Sequence, residues 1–172
     1  MFRNKRGVSI MIGYILLISM AVAISIFVYG WLKTYVPNDL AECPDGTSIS
    51  IKEANCLGMG ENYTLNLTLK NNGRFNIAGY FIHATNESDQ ELATLDLSSK
   101  FIRGGTVLGS SILFEEGDTN AMIPNQEKEI IFEFNSQIYS LEILPIRFQD
   151  MENKKRLISC GDAKVREVIS CS

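Results

Sequence analysis

The sequence predicts an α+β chain, with one long hydrophobic α-helix at the front and an all-β antiparallel sandwich behind it. Three observations carry this expectation. The run from Val8 to Leu32 contains no ionisable side chain except two tyrosines. Beyond Pro37 the hydrophobic period changes from helical to two. Short apolar segments then recur between Gly, Asn, Asp and Pro breaks, and none of them shows a convincing amphipathic helical face. A chain of 172 residues with 45% hydrophobic content has room for one ordinary domain and an appendage.

At about 1.5 Å per residue, the first run is long enough to cross a hydrocarbon core of roughly 30 Å. Arg3, Lys5 and Arg6 precede it, Lys33 follows it, and the first acid is Asp39. Such a bias holds the N-terminus in the cytoplasm and sends the remainder outside. Setting those four cations aside leaves 12 basic residues against 20 acids, a formal charge of −8. An acidic exterior speaks against a nucleic-acid partner, which calls for a basic face. Ala21-Val22-Ala23 matches a signal-peptidase site by residue type. Apolar sequence continues through Ile24, Ile26, Phe27, Val28 and Trp31, however, so a cut there leaves a greasy N-terminus with no purpose.

The helix also has a thin face. At 100° per residue, Ser9, Gly13, Ser19, Ala23 and Gly30 fall within an arc of about 120°. Small residues let helices approach closely in lipid, and their hydroxyls can bond across to a neighbour, so the stripe suits lateral packing. Against this, membrane helices are rich in Gly in any case, and Ala21 and Ser25 lie off the stripe. Pro37 ends the helix, which gives a span of 8–36, a connector "PNDLAECPDG" over 37–46 and a β domain over 47–172.

Within the domain, "NYTLNLTLK" alternates Tyr63, Leu65, Leu67 and Leu69 with Thr64, Asn66, Thr68 and Lys70, the pattern of a half-buried strand. "NNG" at 71–73 is a turn signal, and "RFNIAGYFIHAT" reads as a second strand running on from it, with a bulge at Gly79. "SISIKE", "ATLDL", "TVLGSSILF", "KEIIFEF", "SLEILPIRF", "RLIS" and "AKVREVIS" supply further strand-like segments. In "KEIIFEF" the inward set is Ile130, Phe132 and Phe134. Seven to eight short strands indicate a sandwich, with a partly closed barrel as the alternative.

A short basic leader, a Lys-Arg-Gly junction and an apolar helix directly behind it, "KRGVS", resemble the class III signal peptides of archaeal type IV pilin-like proteins, archaellins included. The resemblance implies that a prepilin peptidase removes residues 1–7 on the cytoplasmic side and leaves the helix on the mature protein. Lys5 and Arg6 are then the recognition residues, Gly7 precedes the cut and Val8 becomes the N-terminus; a cut between Arg6 and Gly7 is the other option. Bacterial type IV pilins usually carry glutamate at the fifth mature position, where this chain has Ile12. That departure bears on the bacterial branch more than on the archaeal one. "LTLKNNGRFNIAGYFI", "IPNQEKEIIFEF" and "LEILPIRF" also resemble the immunoglobulin-like β-sandwich heads of archaeal pilins and archaellum components. The implied function is a structural filament subunit that self-associates with other pilin subunits through its helix. The implied location is the membrane before assembly and the cell surface or filament afterwards, with a head for adhesion or surface contact. The alternative is a membrane-anchored extracellular binding domain, or an accessory or stator-like protein that does not polymerise.

Four cysteines in an exterior domain imply two disulfides, for which three connectivities exist. Local pairing of Cys160 with Cys171 conflicts with a strand through "AKVREVIS", whose rise of about 3.3 Å per residue separates the two beyond disulfide reach. If the first and last strands lie side by side and parallel, as in many immunoglobulin-like sandwiches, Cys43 meets Cys160 and Cys56 meets Cys171. Either cross-pairing staples the C-terminus to the strand that emerges from the helix. No Cys pair has metal-site spacing, so no metal is expected.

Three N-x-S/T sequons begin at Asn62, Asn66 and Asn86. Alternation places Asn62 and Asn66 on the polar face opposite the leucines, and Asn86 in the polar turn "NESDQ". His83, the one histidine, stands in an apolar strand context that suits a packed or surface residue. The loop "FEEGDTN", 114–120, gathers three acids without the spacing of a calcium loop. With no phosphate loop, dinucleotide fingerprint, nucleophile elbow or metalloprotease helix, neither an enzyme nor a cofactor is expected.

Overall fold

The computed structural model describes residues 5–35, 42–59, 62–151 and 154–171, with side chains from residue 11 onward except at 59 and 151. Residues 1–4 of the expected leader and 37–41 of the expected connector lie outside the described residues. The chain divides near residue 40 into a helical unit and a β unit.

The helical unit is one α-helix, α1, Lys5–Tyr35. It has no proline or acid to interrupt it, and Lys33 in its last turn complements the helix dipole. The segment Met11–Tyr35 is long and apolar enough to cross a membrane.

The β unit is a sandwich of two antiparallel sheets, in place of the barrel alternative. The smaller sheet is built from β1 (Ile49–Met59), β2 (Asn62–Asn71), β8 (Glu127–Phe134) and β5 (Phe101–Arg103), in the order β1-β2-β8-β5. In the larger sheet, β10 (Lys154–Ser159), β9 (Ser140–Met151), β3 (Gly79–Thr85), β7 (Ser111–Leu113) and β6 (Thr106–Leu108) follow one another. There β4 (Leu95–Asp96) pairs with β3, and β11 (Val165–Val168) pairs with β9.

The inward faces follow the alternation. Leu65, Leu67 and Leu69 of β2 stand beside Ile130, Phe132 and Phe134 of β8, and all six are buried. From the larger sheet Tyr80, Ile82, Ala84, Leu141 and Ile143 complete the main core. Full burial of each large apolar side chain stabilises the fold by about 1.5–3 kcal/mol. Tyr63 stacks on Phe134 at 6.0 Å between ring centres, and Phe101 meets Phe132 edge-on at 5.9 Å.

Two sequence expectations need correction. The strand expected over 74–85 begins only at Gly79, because after "NNG" the chain first crosses between sheets: β2 pairs with β1 and β8, whereas β3 lies in the opposite sheet between β9 and β7. The cause is Asn71, which ends β2 pointing inward. Its buried amide donates to the carbonyls of Phe75 (3.0 Å) and Met122 (2.9 Å) and accepts from Gly73 N–H (2.9 Å), which fixes the bend that carries the chain across. Gly79 is not a bulge either, since β3 keeps one register with β9 from Gly79 to Thr85. It is instead a point of close approach, where a Cβ would lie 2.1 Å from the Ile112 carbonyl oxygen. The bulge falls in β1, where the register shifts between Ile51 and Glu53.

Asn71 and Tyr80 form a contrasting pair. Among the described residues, the Tyr80 hydroxyl is buried without a hydrogen-bond partner, and burial pushes its pKa well above the usual value. Asn71→Ala takes from the Phe75 carbonyl its donor, while the Met122 carbonyl still accepts from Ile77 N–H and Gly73 N–H still donates to the Ser48 carbonyl, so the expected loss is about 1–3 kcal/mol. Tyr80→Phe removes an unpaired hydroxyl and keeps the ring, so stability stays within about 0.5 kcal/mol or rises. Urea midpoints of the two variants check this; similar losses in both contradict it.

Candidate functional site

Every described side chain of α1 is exposed, and large apolar residues point out on all sides. A helix apolar all round is stable only inside lipid or protein. Of the thin stripe, Gly13, Ser19, Ala23 and Gly30 are described and exposed; Ser9 lies in the helix with its side chain outside the description. A Cβ at Gly13 or Gly30 would have nothing within 4 Å, so the folded monomer places no steric demand for glycine there. The hydroxyls, however, are engaged within the helix. Ser19 donates to the Leu16 carbonyl at 2.9 Å, Ser25 to Ala21 at 2.8 Å and Thr34 to Gly30 at 3.0 Å. A lone helix in lipid satisfies its polar atoms this way, and a neighbouring helix has to compete for them. Trp31 and Tyr35 meet one turn apart, at 4.9 Å between ring centres, at the C-terminal end of the apolar segment. Lys5, Arg6, Gly7 and Val8 form the first turns of the same helix.

The outer face of the smaller sheet is polar. Cross-strand registers place Leu57, Thr64 and Glu133 in one row, Asn55, Asn66 and Ile131 in the next, and Glu53, Thr68 and Glu129 in a third. Lys52 donates to Glu127 at 2.7 Å and Lys70 stands 3.7 Å from the same carboxylate. The Lys52 hydrogen bond, ahead of other causes, holds the Glu127 carboxyl below its usual range. Asn62 and Asn66 are both exposed on this face, and Asn86 is exposed in the loop after β3. All three sequon asparagines are therefore reachable.

At one end of the face lies a shallow groove of about 410 Å³, lined by Leu57, Asn62, Thr64, Glu133, Phe134 and Asn135. Leu57 is 55% exposed. Sequence reasoning missed it because the β1 bulge reverses the alternation: Ile49 and Ile51 face in, then Ala54 and Cys56, which leaves Leu57 outside. The spacing of those four small or apolar residues was the available signal.

Cys43 is bonded to Cys160, with Cα atoms 5.2 Å apart, and Cys56 to Cys171, at 4.6 Å. Cys56 and Cys171 also form a parallel bridge, the side-by-side arrangement of first and last segments under which these pairs meet.

His83 is half-buried in β3, opposite Glu142 and Asp96 on its two neighbours. In the 114–120 loop Phe114 is buried and Glu115, Glu116 and Asp118 are exposed, while Lys155 donates to the Asp118 carbonyl at 3.0 Å. Among the described residues no three His, Cys, Asp or Glu side chains gather to hold a metal ion. No family model, curated protein or solved structure matches this chain.

Proposed function

We propose that the chain is a pilin-like structural subunit of an archaeal type IV pilus-like filament. The carrying observation is "KRGVS" directly abutting a helix whose described side chains are all exposed and almost wholly apolar. A plain anchor has no particular use for that junction. A prepilin peptidase removes the leader, and the charge removal acts as a switch. Arg3, Lys5 and Arg6 inside a helical bundle are unpaired charges without solvation, so the uncut chain is excluded from a filament core. After the cut, helices bundle along the Ser9, Gly13, Ser19, Ala23, Gly30 stripe. The N-terminus starts in the cytoplasm and the sandwich lies outside, where two disulfides suit the redox environment. The acidic head, glycosylated at Asn62, Asn66 and Asn86, forms the filament surface for adhesion or cell-surface contact.

Intact-mass measurement of sheared extracellular material and of membranes tests this reading. A chain beginning at Val8 or Gly7 in the sheared fraction is expected, and Gly7→Leu is expected to accumulate in membranes with its leader uncut. Normal maturation of Gly7→Leu, or a leader-bearing chain found only in membranes, identifies an anchored binding domain instead.

A further inference from the structure

We infer that the groove at the end of the smaller sheet is a saccharide site, filled by the first sugars of a glycan on Asn62. This rests on the glycosylation part of the function proposed above. The groove borders Asn62, whereas neither Asn66 nor Asn86 lines it.

A pyranose ring has an apolar C–H face and a rim of hydroxyls, so its site needs an apolar platform with polar groups at the margin. Leu57 is the platform, 55% exposed on a face otherwise made of Thr, Asn, Lys and Glu apart from the half-buried Ile131. Glu133 brings an acceptor, Thr64 a hydroxyl and Asn135 an amide. Leu57, Thr64 and Glu133 come from three adjacent strands in a single cross-strand row, so the sheet presets their spacing. At about 410 Å³ the groove lies at the small end of ligand sites, roughly 300–1,000 Å³, which suits the reducing end of a glycan.

Attachment joins Asn62 Nδ2 to the anomeric carbon of an activated, phosphate-linked oligosaccharide. The phosphate leaves with the bonding electrons and the amide releases a proton. Once tethered, the sugar has a high effective concentration at the groove, so a weak contact is sufficient. The glycan then lies along the sheet and shields Leu57 from water.

The test uses the full chain from its native host in detergent, with glycopeptide mapping followed by thermal unfolding of Asn62→Gln, Leu57→Ser and the double variant. The expected result is a glycan at Asn62 and a drop in Tm of about 3 °C for each single variant. In the double variant Leu57→Ser adds nothing, because the sugar it would contact is already gone. Asn86→Gln, as a control, combines additively with Leu57→Ser. A glycan at Asn62 with additive effects of Asn62→Gln and Leu57→Ser overturns the groove and leaves glycosylation standing. An unmodified Asn62 overturns both at this position, and the Asn66 and Asn86 peptides then judge the wider glycosylation reading separately.

Discussion

Breaking both disulfides is expected to remove about 8 kcal/mol of stability, enough to unfold the head at 25 °C. The two bonds overlap along the chain. Cys43–Cys160 spans 117 residues and Cys56–Cys171 spans 115, so either bond alone closes a very long loop, worth about 5 kcal/mol in chain entropy. With one bond in place, the other closes a much shorter circuit of roughly 24 residues, through the 43–56 and 160–171 arms, worth about 3 kcal/mol. Removing one bond therefore costs only the smaller amount, while removing both costs more than twice as much. Paired Cys→Ser variants, Cys43/Cys160 and Cys56/Cys171, should each lose about 3 kcal/mol in urea unfolding, and the fourfold variant about 8. Equal stepwise losses contradict the shared circuit. An unchanged urea midpoint under reductant excludes the bonds as a source of stability. The staple also has a functional side. Cys43–Cys160 ties the segment before β1 to the end of β10, and Cys56–Cys171 ties β1 to the C-terminal segment, so neither end of the β unit can peel from the sandwich.

Much of this arrangement is legible in the sequence where one residue type repeats against another. The β2 alternation and the Ile130, Phe132, Phe134 set name the smaller sheet's inner face, since its outer face is polar and the contrast is large. The helix is legible because no proline and no charged residue breaks the apolar run from Val8 to Leu32. The order of strands is not. Asn71 looks like one more turn residue, and only its burial against Phe75 and Met122 shows that it sends the chain to the other sheet. The segments β4 to β7 have two or three residues each, too few for a period to register. For the same reason β5 has no counterpart among the strand-like segments of the sequence, and β6 and β7 merge into the one segment "TVLGSSILF". At the candidate sites, the helix stripe and the sequons follow from spacing alone. The Leu57 groove does not, because it depends on a bulge that reverses parity within β1 and on three strands arriving in one row.

Gly79→Ala is expected to cost about 3 kcal/mol, the upper end of what an added methyl group costs in a packed site. The added Cβ would stand 2.1 Å from the Ile112 carbonyl oxygen, 2.8 Å from the Leu113 Cα and 2.9 Å from the Ile112 carbonyl carbon. All three are backbone atoms of β7, so no side-chain rotamer can relieve the clash. Either β7 moves away from β3 by roughly 1 Å, which stretches its hydrogen bonds beyond their normal range, or β3 twists out of its register with β9. Each response also disturbs the small apolar cluster of Ala78, Leu113, Ile146 and Phe148, to which Phe81 and Leu157 are partly joined. Gly109 provides the control. It sits in the β6–β7 turn with φ of 63° and open space around its Cβ position, so Gly109→Asn, a residue that tolerates positive φ, is expected to cost under about 1 kcal/mol. Urea unfolding of both variants, with hydrogen exchange at the Ile112 and Leu113 amides, distinguishes steric displacement from general glycine effects. If the two glycines prove equally tolerant, the close approach of β3 and β7 is not rigid. If Gly79→Ala unfolds the head while Gly109→Asn leaves it intact, the sheet has no slack at the point where β3, β7 and β9 meet.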